Sequence, residues 1–149
     1  MTAKSAFTEE EWDLVAEGPA VAGVIAATAQ KGGSFRESYA IAKTYAEARQ
    51  RHGDSELLDE IVSHKPEFDR KRYHSPEELH DKGLERIQQA TALLESKATP
   101  DEVTAYKSFA LDVAKNVAAA HKEDGERVSP AEEAAIAAVT ASLGTTASG

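Results

Sequence analysis

Ser or Thr followed three residues later by Glu recurs five times along this chain. In such a capping box, the hydroxyl accepts a hydrogen bond from an amide of the first helical turn, and the carboxylate accepts one from the amide of the cap residue. Proline directly follows the cap at three of these positions, where its missing N–H removes no helical hydrogen bond. The spacing therefore predicts five helix starts. The pairs are Thr8 with Glu11, Ser34 with Glu37, Ser75 with Glu78, Thr99 with Glu102, and Ser129 with Glu132.

Further start and stop signals complete a pattern of seven helices without strands. Gly18-Pro19 and Asp54 are typical of helix starts, and Gly53 and Gly144 are typical of helix stops. We therefore predict that the chain is all-α. The predicted helices cover residues 9–17, 19–30, 35–51, 55–63, 76–97, 100–122 and 130–143.

The fifth and sixth predicted helices carry matching apolar rows. Apolar residues recur at alternating three- and four-residue steps from Val103 to Val117, and a similar row runs from Leu84 to Leu94. Because only a short connection separates these helices, we expect them to form an antiparallel hairpin. The expected fold is a single compact bundle of about seven helices organised around this long antiparallel helix hairpin.

The size and composition of the chain fit one domain. Its 149 residues are enough for one hydrophobic core, and 41% hydrophobic with 29% charged residues is typical of a globular protein. We expect one helical domain over 1–149, with frayed tails at 1–7 and 145–149.

The charge of the chain restricts its partners and its compartment. Asp and Glu outnumber Lys and Arg by 26 to 17, which gives a formal net charge of -9. Such a surface repels phosphate backbones and anionic lipids, so we expect neither nucleic acid nor a membrane as partner. The chain has no cysteine, and its N-terminal residues lack the apolar stretch of a signal peptide. We therefore expect a cytoplasmic protein.

The stretch GPAVAGVIAATAQKGGS, residues 18–34, is almost free of charge. About eleven helical residues would span roughly 16 Å, well short of the roughly 30 Å of a bilayer core. Its small and apolar residues lie on all helical faces, which favours a buried central helix. A hydrophobic strip that docks a partner is the alternative interpretation.

The C-terminal region carries a resemblance to a known family. Residues 121–139 read HKEDGERVSPAEEAAIAAV, an acidic Asp-Gly loop that runs into a capped helix. This resembles the helix–loop–helix units of the tellurite-resistance TerB-like helical family, and the whole chain is also similar to small bacterial helical proteins. The resemblance implies an all-helical fold and a divalent cation bound by the acidic loop. The candidate ligands are Asp124, Glu126 and Glu132.

The alternative for this loop is a solvated acidic turn that suits the dipole of the following helix, since its spacing is not that of an EF-hand. Glu77 and His80 have the E-x-x-H spacing of carboxylate-bridged di-metal bundles, but the sequence contains no second copy. A surface loop with ordinary histidines is the simpler interpretation.

A second candidate site is the loop that contains Lys65, Arg70, Lys71 and Arg72. Basic residues interleaved with aromatic ones are typical of interface hot spots. We predict partner binding here, although the same charges could pair with acidic residues of the fold itself. The candidate partner-binding residues are Phe68, Arg70, Arg72 and Tyr73.

The sequence contains no nucleophile elbow and no P-loop, so we expect no enzyme and no cofactor. The leading hypothesis is a non-catalytic cytoplasmic helical protein that acts by protein–protein interaction or self-association. The alternative is a TerB-like, divalent-cation-binding stress-response module.

Overall fold

The computed structural model describes residues 4–28, 35–50, 56–63, 73–123 and 130–144. Within these ranges the chain forms six α-helices and a short 3-10 turn, and no β-strand. The prediction of an all-α fold is confirmed. The helices are α1 (Glu9–Thr28), α2 (Phe35–Gln50), α3 (Glu56–Val62), α4 (Pro76–Lys97), α5 (Pro100–Glu123) and α6 (Pro130–Ser142).

Helix α1 runs without interruption through Gly18 and Pro19, so the prediction of separate helices at 9–17 and 19–30 is wrong. Pro19 has no N–H, and the carbonyl of Val15 therefore loses its usual helical donor. The hydroxyl of Tyr106 on α5 donates a hydrogen bond to this carbonyl, with an O–O distance of 2.7 Å. Gly18 leaves the space that this contact needs, because a Cβ atom at residue 18 would overlap the Tyr106 hydroxyl.

The environment of Tyr106 keeps its hydroxyl protonated. Burial raises the pKa of the phenol, and nearby Tyr45 and Glu17 act in the same direction. The side chain is almost fully buried, at 1% exposure. Tyr106 therefore stays protonated at neutral pH, as its hydrogen bond to α1 requires.

Helix α1 is the central element of the bundle and packs extensively against both α4 and α5. It runs antiparallel to α4, because Glu17 contacts Arg86 while Ile25 lies against Gly83. It runs parallel to α5, since Gly18 meets Tyr106 and Gly23 meets Val113, residue pairs that advance in the same direction. The residues from Gly18 to Ala27 are buried apart from half-buried Val24, so the predicted central position is confirmed for them, while residues 29–34 lie outside the described ranges.

The predicted hairpin differs from the observed packing of α4 and α5. The two helices are joined by Ala98 and Thr99 alone, but they contact each other much less than each contacts α1. The physical reason is that α1 is apolar on all its faces from Gly18 onwards, and this part buries most surface when it lies between two helices. The spine of the fold is therefore a three-helix unit with α1 in the middle.

An ion pair between a buried carboxylate and a half-buried guanidinium crosses the contact between α1 and α4. A carboxylate oxygen of Glu17 lies 2.9 Å from Nη2 of Arg86, and the Glu17 residue is 6% exposed. A charge in such a position requires a close partner, because desolvation of an isolated carboxylate is costly. The pair therefore restricts how α4 can pack along α1.

Among the described residues, none of the helices has the length and apolar character needed to cross a membrane.

Three of the five predicted capping boxes lie in the described part of the chain. Thr8 with Glu11 and Thr99 with Glu102 form the reciprocal pair of hydrogen bonds, with N–O distances of 2.8 to 3.2 Å. The third is incomplete: the Ser75 hydroxyl accepts from the Glu78 amide, but the Glu78 carboxylate accepts from the amide of His74. The boxes that begin at Ser34 and Ser129 have cap residues outside the described ranges.

Of the tail that was expected to be frayed over 1–7, residues 1–3 lie outside the described ranges, and Phe7 packs against the bundle. Phe7 is buried, and its ring centroid lies 5.9 Å from that of Trp12, the contact expected of a hydrophobic staple. Lys97 donates to the carbonyl of Ala6 and to the carboxylate of Glu11. Hydrogen bonds from the Thr8 amide and from Lys97 lower the pKa of Glu11. Residues 145–149 lie outside the described ranges.

The close packing of α1 generates the first prediction. A Cβ atom at residue 23 would lie 2.7 Å from Cγ1 of Val113 and 2.9 Å from Cγ1 of Ile41. Gly23→Ala should therefore lower the free energy of unfolding by about 1–3 kcal/mol, although alanine favours a helix by about 1 kcal/mol over glycine. Urea denaturation followed by circular dichroism measures the change. An increase in stability would show that α1 has room at this position.

Candidate functional site

Helix α2 is fixed in the bundle through its inner face. The rings of Tyr45 and Phe109 meet edge to face, with centroids 5.0 Å apart. The amide nitrogen of the Asn116 side chain donates to the hydroxyl of Thr44 over 2.9 Å. Ile41 packs beside Gly23 of α1. These contacts determine which side of α2 points away from the protein.

The opposite side of α2 is exposed, and we call Tyr39, Ala42, Lys43 and Ala46 the α2 outer face. Tyr39 is 63% exposed and is the one large hydrophobic side chain with this degree of exposure in the described part of the chain. Ala42 is exposed and Ala46 half-buried. Steps of three and four residues place Tyr39, Ala42 and Ala46 in one row along the helix. The row is apolar and, apart from half-buried Ala46, open to solvent.

The charge of α2 differs from that of the other helices. Its sequence, FRESYAIAKTYAEARQ, has three basic and two acidic residues, whereas acidic residues outnumber basic ones in each of the other five described α-helices. Lys43 is exposed, and no described acidic side chain forms an ion pair with it. Lys43 thus lies beside the apolar row, and exposed Glu47 follows it one helical turn later, in a protein of net charge -9.

Arg49 extends the basic character of α2 to its C-terminal end. Its Nε donates a hydrogen bond to the carbonyl of Val62, the last residue of α3. The negative end of the α3 dipole also stabilises a cation at this position. Ser63 follows Val62, and the basic segment 65–72 follows in turn along the chain. The described chain therefore enters the predicted basic loop beside the C-terminal end of α2.

The predicted partner-binding residues are described only in part. Phe68, Arg70 and Arg72 lie outside the described residues. Tyr73 is half-buried and packs against the larger hydrophobic cluster, and its hydroxyl is buried. Much of the Tyr73 ring is therefore part of the core rather than of an exposed loop.

The cation-site candidates are described even less. Asp124 and Glu126 lie outside the described ranges, and Glu132 lies in α6 with its side chain undescribed. Glu77 and His80 are exposed on α4, where Nδ1 of His80 lies 3.5 Å from a carboxylate oxygen of Asp81. Across the described ranges, no three potential ligand side chains converge as a metal site would require. Cation binding by the loop at 123–132 stays a prediction.

The α2 outer face is a feature that sequence reasoning missed. Its signal is a second apolar row, at residues 39, 42 and 46, beside the row at 41, 45 and 48 that enters the core. A helix with two apolar rows either lies between two neighbours or leaves one row uncovered.

The chain has no match among known protein families, curated proteins or solved structures.

Two tyrosines of α2 provide a matched test of which side of this helix is exposed and which side is buried. Tyr39→Ala should change the free energy of unfolding by no more than about 0.5 kcal/mol, because the side chain is exposed. Tyr45→Ala should lower it by about 3–5 kcal/mol, because it empties a buried aromatic site. Chemical denaturation of both variants measures the contrast. A large loss in Tyr39→Ala would indicate that Tyr39 belongs to the fold rather than to a free surface.

Proposed function

We propose that this protein acts by binding another protein through the α2 outer face, without catalysis. The observation that carries the proposal is Tyr39, a large and partly apolar side chain left 63% exposed on a helix whose other side is fixed in the core. Tyrosine contributes a large rigid contact area at low entropic cost and is over-represented among interface hot spots. A single exposed tyrosine is ordinary, but here it lies in one row with Ala42 and Ala46.

The surroundings of the face support binding rather than chemistry. The sequence contains no motif of a nucleophile or a phosphate-binding loop. Thr44 and Tyr45 hold α2 in place from the inner side, so the outer face is preorganised and little conformational entropy is lost on binding. The proposal includes the predicted basic loop, since the chain enters that loop beside Arg49 at the end of α2.

Comparative capture from an extract of the source cells tests the proposed function. Wild type and Tyr39→Ala are immobilised at equal density, with Gln88→Ala as the matched control on the exposed side of α4. We expect Tyr39→Ala to retain about tenfold less of the bound protein, because loss of a hot-spot side chain costs on the order of 1–2 kcal/mol. Gln88→Ala should capture as much as wild type.

Equal capture by wild type and Tyr39→Ala would exclude the α2 outer face as the binding surface. Circular dichroism of each variant establishes that the fold is retained, so that a loss of capture reports on the surface alone.

A further inference from the structure

We infer that residues Lys4–Phe7, which we call the α1 strap, close over the smaller of the two hydrophobic core clusters and that the side chain of Lys97 holds them closed. The strap opens and exposes Trp12 while the helical bundle stays folded. This device lies at the start of α1 and acts independently of the α2 outer face.

The apolar anchor of the α1 strap is Phe7. Its side chain is 8% exposed and belongs to the smaller cluster, together with Trp12, Leu94 and Val103. The rings of Phe7 and Trp12 have centroids 5.9 Å apart, so Phe7 covers part of the tryptophan. Ser5 and Ala6, which precede it, are exposed.

Lys97 joins the strap to α4, of which it is the last residue. Its Nζ donates to the carbonyl of Ala6 over 3.1 Å and to a carboxylate oxygen of Glu11 over 2.9 Å. The same nitrogen lies 5.5 Å from the centroid of the Phe7 ring, where the face of the ring attracts a cation. One ammonium group therefore contacts the backbone of the strap, its apolar anchor and the first turn of α1.

The closed state of the strap depends on these contacts. Ordering the backbone costs conformational entropy at each residue of the strap, and burial of one phenylalanine side chain offsets only part of that cost. The contacts of Lys97 supply much of the remainder. Loss of the positive charge at residue 97 therefore releases the strap.

Opening of the strap leaves the contacts between the helices in place. The hydrogen bond from Tyr106 to Val15 and the ion pair of Glu17 and Arg86 lie further along α1. The capping box of Thr8 and Glu11 begins after the strap and keeps its own hydrogen bonds. The opening is thus a local transition, of the kind that needs less free energy than global unfolding.

Trp12 provides the readout, because it is the only tryptophan of the chain. Acrylamide quenching of its fluorescence without denaturant, combined with the fluorescence lifetime, gives the bimolecular quenching constant. Lys97→Met removes the charge and keeps a long side chain, and Phe7→Ala removes the anchor and defines the open state. The matched control is Lys82→Met, since Lys82 also lies on α4 and forms an ion pair of 2.9 Å, with Glu78, about four helical turns from Lys97.

We expect Lys97→Met to raise the quenching constant about twofold or more, toward the value of Phe7→Ala, because an open strap leaves Trp12 accessible. Lys82→Met should have the quenching constant of the wild type. The far-ultraviolet circular dichroism of every variant should remain that of the wild type, since the bundle stays folded.

Four results would overturn the inference. Equal quenching in Lys97→Met and wild type would show that Lys97 does not hold the strap, and unchanged quenching in Phe7→Ala would show that other residues cover Trp12. An equal increase in Lys82→Met would show a general effect of losing an ion pair on α4. An increase that accompanies loss of the helical signal would show that the strap and the bundle unfold as one unit.

Discussion

The hydrogen bond from the Tyr106 hydroxyl to the carbonyl of Val15 allows α1 to be one helix. Proline inside a helix removes one amide donor, and a buried carbonyl without a donor costs free energy. Tyr106 supplies the missing donor from α5, and Gly18 leaves room for it. The same contact fixes the position of α5 against α1. Pro19 would otherwise interrupt α1. The carbonyl that it leaves without a donor instead binds α5 to α1 through Tyr106.

The arrangement of the other helices follows from a continuous α1. Because α1 is apolar on all its faces from Gly18 onwards, α4 and α5 pack on two sides of it, with the ion pair of Glu17 and Arg86 on the α4 side. Helix α2 packs against α5 through Tyr45 and Phe109. This sequence of contacts leaves Tyr39 on the outside of α2. The proposed binding surface is therefore a consequence of how the core is assembled, and a rigid core holds it in a constant shape.

Local signals in the sequence predict most of the helix boundaries, because caps act over three or four residues. The box of Thr8 and Glu11 forms as expected, and α4 and α5 begin at the predicted prolines. The failed prediction at Gly18 and Pro19 has a different origin. The Tyr106 hydroxyl, which replaces the missing donor, lies 91 residues away from Val15 in sequence, and no rule based on neighbouring residues includes it. The candidate surface was missed for a similar reason, since the residues of α2 alone do not determine which apolar row meets α5.

A double-mutant cycle of Tyr106→Phe and Pro19→Ala most directly tests the claim that Tyr106 replaces the donor that proline removes. In the presence of Pro19, Tyr106→Phe should lower the free energy of unfolding by about 1–3 kcal/mol, because the Val15 carbonyl is left buried without a donor. With alanine at residue 19, the backbone amide supplies the hydrogen bond, and the same substitution should cost at least about 1 kcal/mol less. Effects that add within about 0.5 kcal/mol would contradict the claim and show that α1 tolerates its proline for another reason.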